Sequence, residues 1–189
     1  TFDEIAKVAK SLGCATHIDG ARIFNAAIAT GVDVSRMCEH YDSVSICFSK
    51  GLGAPVGSVL VGSSAFIARA HRWRKMFGGG WRQAGLLAAA CLHALDNHVE
   101  RLIDDHHRAQ RIAKMLNDLP MFTVDLDTVQ TNMIYAETNG PASEVVEKYA
   151  RHGVDMFDLS ANRIRVVVHL HITDEDVDRF EAISHELFG

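Results

Sequence analysis

The first third of the chain combines two patterns of apolar and polar residues. Apolar residues that recur every three or four positions are typical of amphipathic helices, and short continuous apolar runs are typical of buried strands. Glycines stand at several of the segment ends, where turns are expected. The predicted helices are 1–12, 21–30 and 34–40, and the predicted strands are 14–18, 43–48 and 57–61. This order predicts an α/β sheet covered by helices on both faces.

The middle of the chain is predicted to be helical, and its end is mixed. The second of three long helices is rich in Ala and Leu, so we expect it to be buried on several sides, whereas the pair His106 and His107 is expected on a solvated face. The long helices are 63–76, 82–97 and 99–119; later strands are 122–126, 133–136 and 164–170; later helices are 143–152 and 174–187. The pattern predicts one domain over 1–117 and a small α+β domain over 118–189.

Composition excludes some functions. The 189 residues include 19 Lys plus Arg and 24 Asp plus Glu, a net charge of −5, which argues against a nucleic-acid surface. The longest apolar run, 86–92, is too short to span a bilayer. Four cysteines form no CxxC pair and suggest no metal site, so we expect free, mostly buried thiols and a reducing, cytoplasmic location.

The first candidate motif is an acidic residue at a predicted strand end. His17 and Asp19 lie two positions apart, so they share a face of the strand, and Arg22 follows. Ligands bind at the carboxyl ends of strands in α/β sheets, which makes Asp19 a candidate site residue. The alternative is that Asp19 only caps the helix that follows.

The second candidate motif is a lysine directly after a buried strand. Ser49 and Lys50 precede Gly51, and partial desolvation of such a lysine would favour its neutral, nucleophilic form, as a Schiff-base lysine requires. A surface lysine in a glycine-rich turn is the alternative. The glycine spacing matches neither a Walker A loop nor a dinucleotide-binding fingerprint.

The third feature is arginine in apolar or glycine-rich surroundings, at Arg22, Arg82 and Arg165. Arginine in such places commonly binds a carboxylate or a phosphate through two parallel hydrogen bonds. Internal ion pairs are the alternative for each of the three.

Three segments together resemble one enzyme family. Their sequences are HIDGARIFNA at 17–26, SKGLGAPVGS at 49–58 and RWRKMFGGGWRQ at 72–83. In this order they are similar to the low-specificity L-threonine aldolases, which are aromatic amino-acid β-eliminating lyase/threonine aldolase enzymes of fold type I that depend on pyridoxal 5′-phosphate (PLP). The resemblance implies an α/β PLP-transferase-like fold, with 1–117 in the large PLP-binding domain of mixed sheet and 118–189 in the small α+β domain.

The resemblance also implies roles for particular residues. Lys50 would hold PLP as a Schiff base, and Asp19 would pair with the pyridine nitrogen and keep it protonated. Arg22 and Arg165 would bind the substrate carboxylate. Ser49 would contact the cofactor phosphate, and Lys75 and Arg82 would contact the phosphate in a neighbouring subunit's site. His17 would contact the cofactor.

The implied reaction is cleavage of L-threonine or L-allo-threonine to glycine and acetaldehyde by a homodimer or homotetramer, in threonine catabolism and glycine biosynthesis. Family members are longer by roughly 150 residues, about one domain, so a preceding portion is expected to carry the phosphate loop and the catalytic base. The alternatives are another fold type I enzyme (a β-eliminating lyase, an aminotransferase or a racemase) and an inactive fragment that serves only in assembly.

Overall fold

A computed structural model describes all 189 residues, which divide into two compact units, Thr1–Glu100 and Arg101–Gly189. The predicted domain boundary at 117/118 falls later than this division, because the helix Leu102–Asn117 packs on the sheet of the second unit. The assignment of 1–117 to a PLP-binding domain stays a prediction. No helix of the chain has both the length and the apolar character needed to cross a membrane.

The first unit contains a three-stranded mixed sheet. Its helices are α1 (Phe2–Ser11), α2 (Ile23–Thr30), α3 (Val34–Cys38), α4 (Ser64–Met76) and α5 (Gly85–Asn97), and its strands are β1 (His17–Gly20), β2 (Ser43–Cys47) and β3 (Ser58–Gly62). The strand order is β1-β2-β3, with β1 parallel to β2 and β3 antiparallel to β2. Strand β1 begins later than predicted because the Thr16 N–H donates to the Asp42 carboxylate, at 2.7 Å, instead of joining the ladder.

Only one side of this sheet is well covered within the chain. Ile18, Ile23, Met37 and Val44 form a small core beneath it. By contrast, all of β3 is exposed and α4 contains no buried residue. Leucines in α5 are 77% and 61% exposed, at Leu86 and Leu92. The predictions of a doubly covered sheet and of a buried α5 are therefore wrong for this chain, because α4 contacts β3 without any of its own residues becoming buried, and Ala94 is the one buried residue of α5.

The second unit is an α+β layer, as predicted. It contains α6 (Leu102–Asn117), β4 (Phe122–Thr123), a 3-10 turn (Leu126–Thr128), β5 (Met133–Thr138), α7 (Ala142–Ala150), β6 (Phe157–Ser160), β7 (Arg163–Val167) and α8 (Asp174–Phe188). The sheet is antiparallel throughout, in the order β4-β5-β7-β6. Strand β6 is absent from the prediction because all four of its residues are exposed, so it carries no buried alternation.

The three helices of this unit cover one face of the sheet and bury its main core. Tyr149 is fully buried and its hydroxyl lies 2.8 Å from Ser184 Oγ; burial raises the pKa of Tyr149 to about 12. The expectation of a solvated His106 is wrong. The residue is 3% exposed, next to the fully buried Asp105, which forms an ion pair with Arg101.

The cysteines are free thiols, but none of them is fully buried. Cys14 is exposed and the other three are half-buried: Cys38, Cys47 and Cys91. The expectation of mostly buried thiols is wrong for this chain. Burial is still enough to raise the pKa of the Cys38 thiol.

Candidate functional site

Asp19 lies near the carboxyl end of β1 and is exposed. Its Oδ1 atom accepts a hydrogen bond from the Ala21 N–H at 3.1 Å. Helix α2 begins after Arg22 and has no side-chain cap, so the alternative that Asp19 caps this helix is wrong. His17 and Asp19 are both exposed while Ile18 and Gly20 between and after them are buried, which confirms that the two polar side chains share a face.

Gly20 allows the ends of β1 and β2 to lie close together. A Cβ atom at this position would lie 2.7 Å from the Ser45 carbonyl oxygen, which belongs to the backbone of β2. Any larger residue would therefore push the two strands apart. The glycine after Asp19 is thus required by packing between the strand ends.

Lys50 lies in a turn directly after β2. Phe48 is buried, and the Gly53 N–H donates to the Lys50 carbonyl oxygen at 2.9 Å, with Gly53 in the left-handed region at φ +71°. The Leu52 carbonyl oxygen lies 2.7 Å from His98 Nδ1, and since a carbonyl can only accept, this nitrogen carries the proton. The turn is therefore tied to the residue that ends α5.

The side chains of Ser49 and Lys50 are both exposed, so the predicted desolvation of the lysine is wrong for this chain. Ser49 and Lys50 are the exposed part of this segment, between the buried Phe48 and the buried Leu52.

Because β1 and β2 are parallel, Asp19, near the carboxyl end of β1, and Lys50, in the turn after β2, lie at the same edge of the sheet. Arg22 stands just beyond β1 at this edge, and its Nε atom is buried without a hydrogen-bond partner. None of the chain's ion pairs involves these three residues. The edge therefore presents a carboxylate, a primary amine and a guanidinium whose charges no neighbouring side chain neutralises.

His17 has a structural partner within the sheet. Its Nδ1 atom lies 2.9 Å from Ser43 Oγ, and the two residues are paired in register at the beginning of β1 and β2. Contact of His17 with a cofactor stays a prediction.

Lys75 and Arg82 flank the triple glycine, and both are exposed. The Lys75 side chain folds back over Gly80, where a Cβ atom would lie 2.8 Å from Nζ. Gln83, directly after Arg82, is the only residue other than glycine with a positive φ, at 54°. The segment thus holds a strained backbone position beside Arg82, as is common near binding sites.

Arg165 belongs to the second unit, in the central strand β7. It is half-buried, its Nε atom is buried without a partner, and its guanidinium carbon lies 5.3 Å from the centre of the Phe157 ring.

Sequence reasoning missed Phe157 and His98. No signal pointed to Phe157, because the exposed strand β6 was not predicted. His98 contacts a backbone carbonyl oxygen, and the sequence does not reveal such a contact.

The chemistry of this donor set suits PLP. A carboxylate can hold the pyridine nitrogen protonated, a primary amine can bond to the aldehyde carbon, and a guanidinium with an unpartnered Nε can bind an anion. Asp19, Lys50 and Arg22 supply these three groups at one sheet edge.

Comparison with known proteins identifies the family. Residues 1–139 match the family described as beta-eliminating lyase. The chain belongs to the beta-eliminating lyase family. It is 46% identical over 192 residues to "Probable low-specificity L-threonine aldolase 2" of Arabidopsis thaliana, covering 97% of this chain and 54% of the relative. It is 42% identical to the low specificity L-threonine aldolase of Escherichia coli K12, covering 89% of this chain and 49% of the relative. The chain thus spans about half the length of the curated relatives it matches.

Solved structures agree on the fold of this beta-eliminating lyase family member. Leishmania major threonine aldolase superposes with a TM-score of 0.77 at 16% identity, over 98% of this chain and 55% of the other. Sphingomonas wittichii serine palmitoyltransferase superposes with a TM-score of 0.72 at 18% identity, over 98% of this chain and 51% of the other. The predicted α/β fold of the fold type I class, with a mixed sheet followed by a small α+β part, is confirmed.

Proposed function

We propose that this chain is part of a PLP-dependent carbon–carbon lyase that cleaves L-threonine and L-allo-threonine to glycine and acetaldehyde. One observation carries the proposal. Asp19 near the carboxyl end of β1 and Lys50 just after the parallel strand β2 lie at one edge of the sheet, in a chain whose relatives are named low-specificity L-threonine aldolases.

In this proposal PLP, when bound, supplies the electron-withdrawing ring that stabilises negative charge at the substrate's Cα. Lys50 is the covalent attachment point, and its turn fixes the backbone from which the amine extends. Asp19 holds a proton on the pyridine nitrogen through its carboxylate. The hydrogen bond from the Ala21 N–H restrains this carboxylate, so it is orientated before the cofactor binds.

The arginines bind substrate and the cofactor phosphate. Arg22 and Arg165 bind the α-carboxylate, for which each offers a guanidinium outside any ion pair and a buried, unpartnered Nε. Lys75 and Arg82, on an exposed segment, extend toward the phosphate in a neighbouring subunit. Ser49 donates to the phosphate, and His17 contacts the cofactor. The working enzyme is a homodimer or homotetramer that acts in the cytoplasm, in threonine catabolism and glycine biosynthesis.

A second candidate reaction is β-elimination, which the description of the matched family names. The same lysine and aspartate would serve it, since both reactions place negative charge at Cα. From L-threonine, cleavage between Cα and Cβ gives glycine and acetaldehyde, whereas loss of the β-hydroxyl gives 2-oxobutyrate and ammonia. The products therefore separate the two candidates with one substrate.

The experiment is product analysis after the PLP-loaded protein is incubated with L-threonine, with Lys50→Ala as the control. We expect equal amounts of glycine and acetaldehyde, and neither product from the control. Formation of 2-oxobutyrate instead of glycine and acetaldehyde would show that the reaction is β-elimination and not cleavage between Cα and Cβ. Absence of every product from protein that has bound PLP would support the inactive-fragment alternative.

A further inference from the structure

The sheet of the second unit has one face that its helices leave uncovered. Ile134, Ala136 and Ile164 point toward the helices and are fully buried. The residues that alternate with them point to the opposite face. On that face Tyr135, Arg165 and Phe157 stand side by side, because β5 and β6 both pair with β7 at the position of Arg165.

Two arginines lie on this open face, and their surroundings differ. Arg163 forms an ion pair with Glu137, with Nε and Oε1 3.2 Å apart, and its guanidinium lies over the Tyr135 ring. Arg165 has no acidic partner, and its Nε is buried without a hydrogen bond. A buried, unpartnered donor on a charged group costs free energy unless a ligand satisfies it. Arg165, and not Arg163, is therefore available to an anion.

Phe157 restrains the available arginine. Its ring centre lies 5.3 Å from the guanidinium carbon of Arg165, within the range of cation–π attraction. The ring is 63% exposed on an edge strand, so it contributes little to the core. An aromatic ring attracts the cation without using its N–H donors, so they remain free for a carboxylate.

We propose that Phe157 is a positioning residue for substrate recognition: it holds the guanidinium of Arg165 in the orientation that binds the α-carboxylate of an amino acid. This inference rests on the proposed function, in which Arg165 binds that carboxylate. It predicts that substitution of Phe157 weakens the binding of ligands that carry a carboxylate and leaves the binding of ligands without one unchanged.

The test measures binding to the PLP-loaded enzyme by absorbance titration of the cofactor, with glycine and with methylamine, which lacks the carboxylate. Phe157→Leu should weaken glycine binding about two- to fivefold, the range expected for an exposed cation–π contact, and leave methylamine binding unchanged. Phe157→Tyr should restore glycine binding. Arg163→Lys is the matched control and should change neither ligand, because Arg163 is already paired with Glu137.

A second measurement needs no cofactor. Reaction of arginines with phenylglyoxal is followed by peptide mass spectrometry, with Arg163 as the internal standard. Phe157→Leu should change the reaction rate of Arg165 relative to that of Arg163, because the ring shields one face of the Arg165 guanidinium.

The outcomes separate this inference from the proposed function. If Arg165→Lys leaves glycine binding unchanged, the carboxylate role of Arg165 is wrong, and the inference fails with it. If Arg165→Lys weakens glycine binding but Phe157→Leu does not, only the positioning role is overturned. Equal weakening of glycine and methylamine by Phe157→Leu would indicate a structural role and would also overturn the inference.

Discussion

At the residue scale, the surroundings of the Asp19 side chain decide which groups it can bind. An aspartate before a helix commonly caps it, yet here the cap position belongs to Arg22 and the carboxylate faces outward at the strand end. Its position between a buried isoleucine and a tightly packed glycine fixes where the carboxylate stands. Asp19 is therefore better placed to bind a ligand than to cap a helix.

We expect Asp19→Asn to lower kcat for threonine cleavage by at least about a hundredfold, the scale of losing one preorganised electrostatic partner. The amide cannot hold the pyridine nitrogen protonated. Steady-state kinetics of the PLP-loaded enzyme would measure this. Asp42→Asn removes a carboxylate just before β2, near the opposite end of the sheet, and is the matched control. Equal kinetic effects of the two variants would contradict the role of Asp19.

His106 gives a pH prediction at the same scale. Desolvation lowers its pKa, the nearby Asp105 opposes this effect, and His107 adds to it. The unfolded chain then binds more protons than the folded chain between the ordinary value of 6.5 and the lower folded pKa. The free energy of unfolding therefore falls as the pH drops through this window. Carboxyl groups whose pKa is lowered in the folded chain change the free energy of unfolding only at lower pH, because their ordinary pKa values are 3.8 and 4.5.

Urea unfolding at about pH 7.5 and about pH 5.5 tests this prediction, because the two values bracket the ordinary histidine pKa. The wild-type chain should lose stability at the lower pH, and His106→Gln should lose less. His107→Gln, at the neighbouring exposed position, is the control. An identical loss in wild type and His106→Gln would show that this histidine is not responsible.

At the element scale, the turn after β2 connects the candidate lysine to α5. The His98 Nδ1–H donates to Leu52 at 2.7 Å, and both residues lie in the first unit. Three short contacts thus fix the turn: two inside it, from Gly53 to Lys50 and from Ala54 to Phe48, and one from His98 outside it.

Removal of the outside contact by His98→Ala should lower the free energy of unfolding by about 1 kcal/mol, because one partly buried carbonyl loses its donor. His98→Gln, which can still donate an N–H, should retain part of that stability. Chemical denaturation provides the measurement, and His71→Ala, on the exposed face of α4, serves as the control. No difference between His98→Ala and the control would show that the hydrogen bond does not stabilise the turn.

The elements with one buried face could be predicted from the sequence. Helices α6 and α8 have clear amphipathic periodicity and a buried apolar face, and α8 begins with a capping box at Thr173. Helix α1 was predictable from its periodicity and its capping box at Thr1, although Ala6 is its one buried residue. Strand β6 has no buried position, so its pairing with β7 depends on backbone hydrogen bonds that no side-chain pattern encodes. Likewise, the length of β1 depends on Asp42, a residue distant in the sequence, which binds the Thr16 N–H.

The candidate site was only partly predictable, for a similar reason. Asp19 and Lys50 follow apolar strands, and this local signal was enough to select them. Their placement at one edge depends on the parallel pairing of β1 with β2. The roles of His98 and Phe157 depend on contacts across the sheet or between a helix and a turn, which link residues far apart in sequence.

At the scale of the whole molecule, the first unit exposes a large amount of apolar surface. Val59, Leu60 and Val61 are exposed on β3, which is an edge strand of its sheet, and α4 contains no buried residue. An exposed apolar edge strand favours association with other chains. We therefore expect the isolated 189-residue chain to self-associate.

Light scattering after size-exclusion chromatography should show species larger than the 20.8 kDa monomer, and their proportion should increase with concentration. Val61→Lys should reduce their proportion, because a charge on an edge strand opposes strand pairing. Gln110→Lys, at an exposed position on α6, adds the same charge elsewhere and should change little. A wild-type chain that remains monomeric at every concentration would contradict the expectation.

Mass spectrometry after borohydride reduction of the protein with PLP tests most directly whether Lys50 is the attachment point, because the reduction fixes the cofactor to the lysine that holds it. We expect a phosphopyridoxyl group on Lys50, its loss in Lys50→Ala, and its retention in Lys7→Ala, at an exposed position on α1. PLP-loaded protein that carries the group on another lysine, or on none, would contradict the assignment of the site.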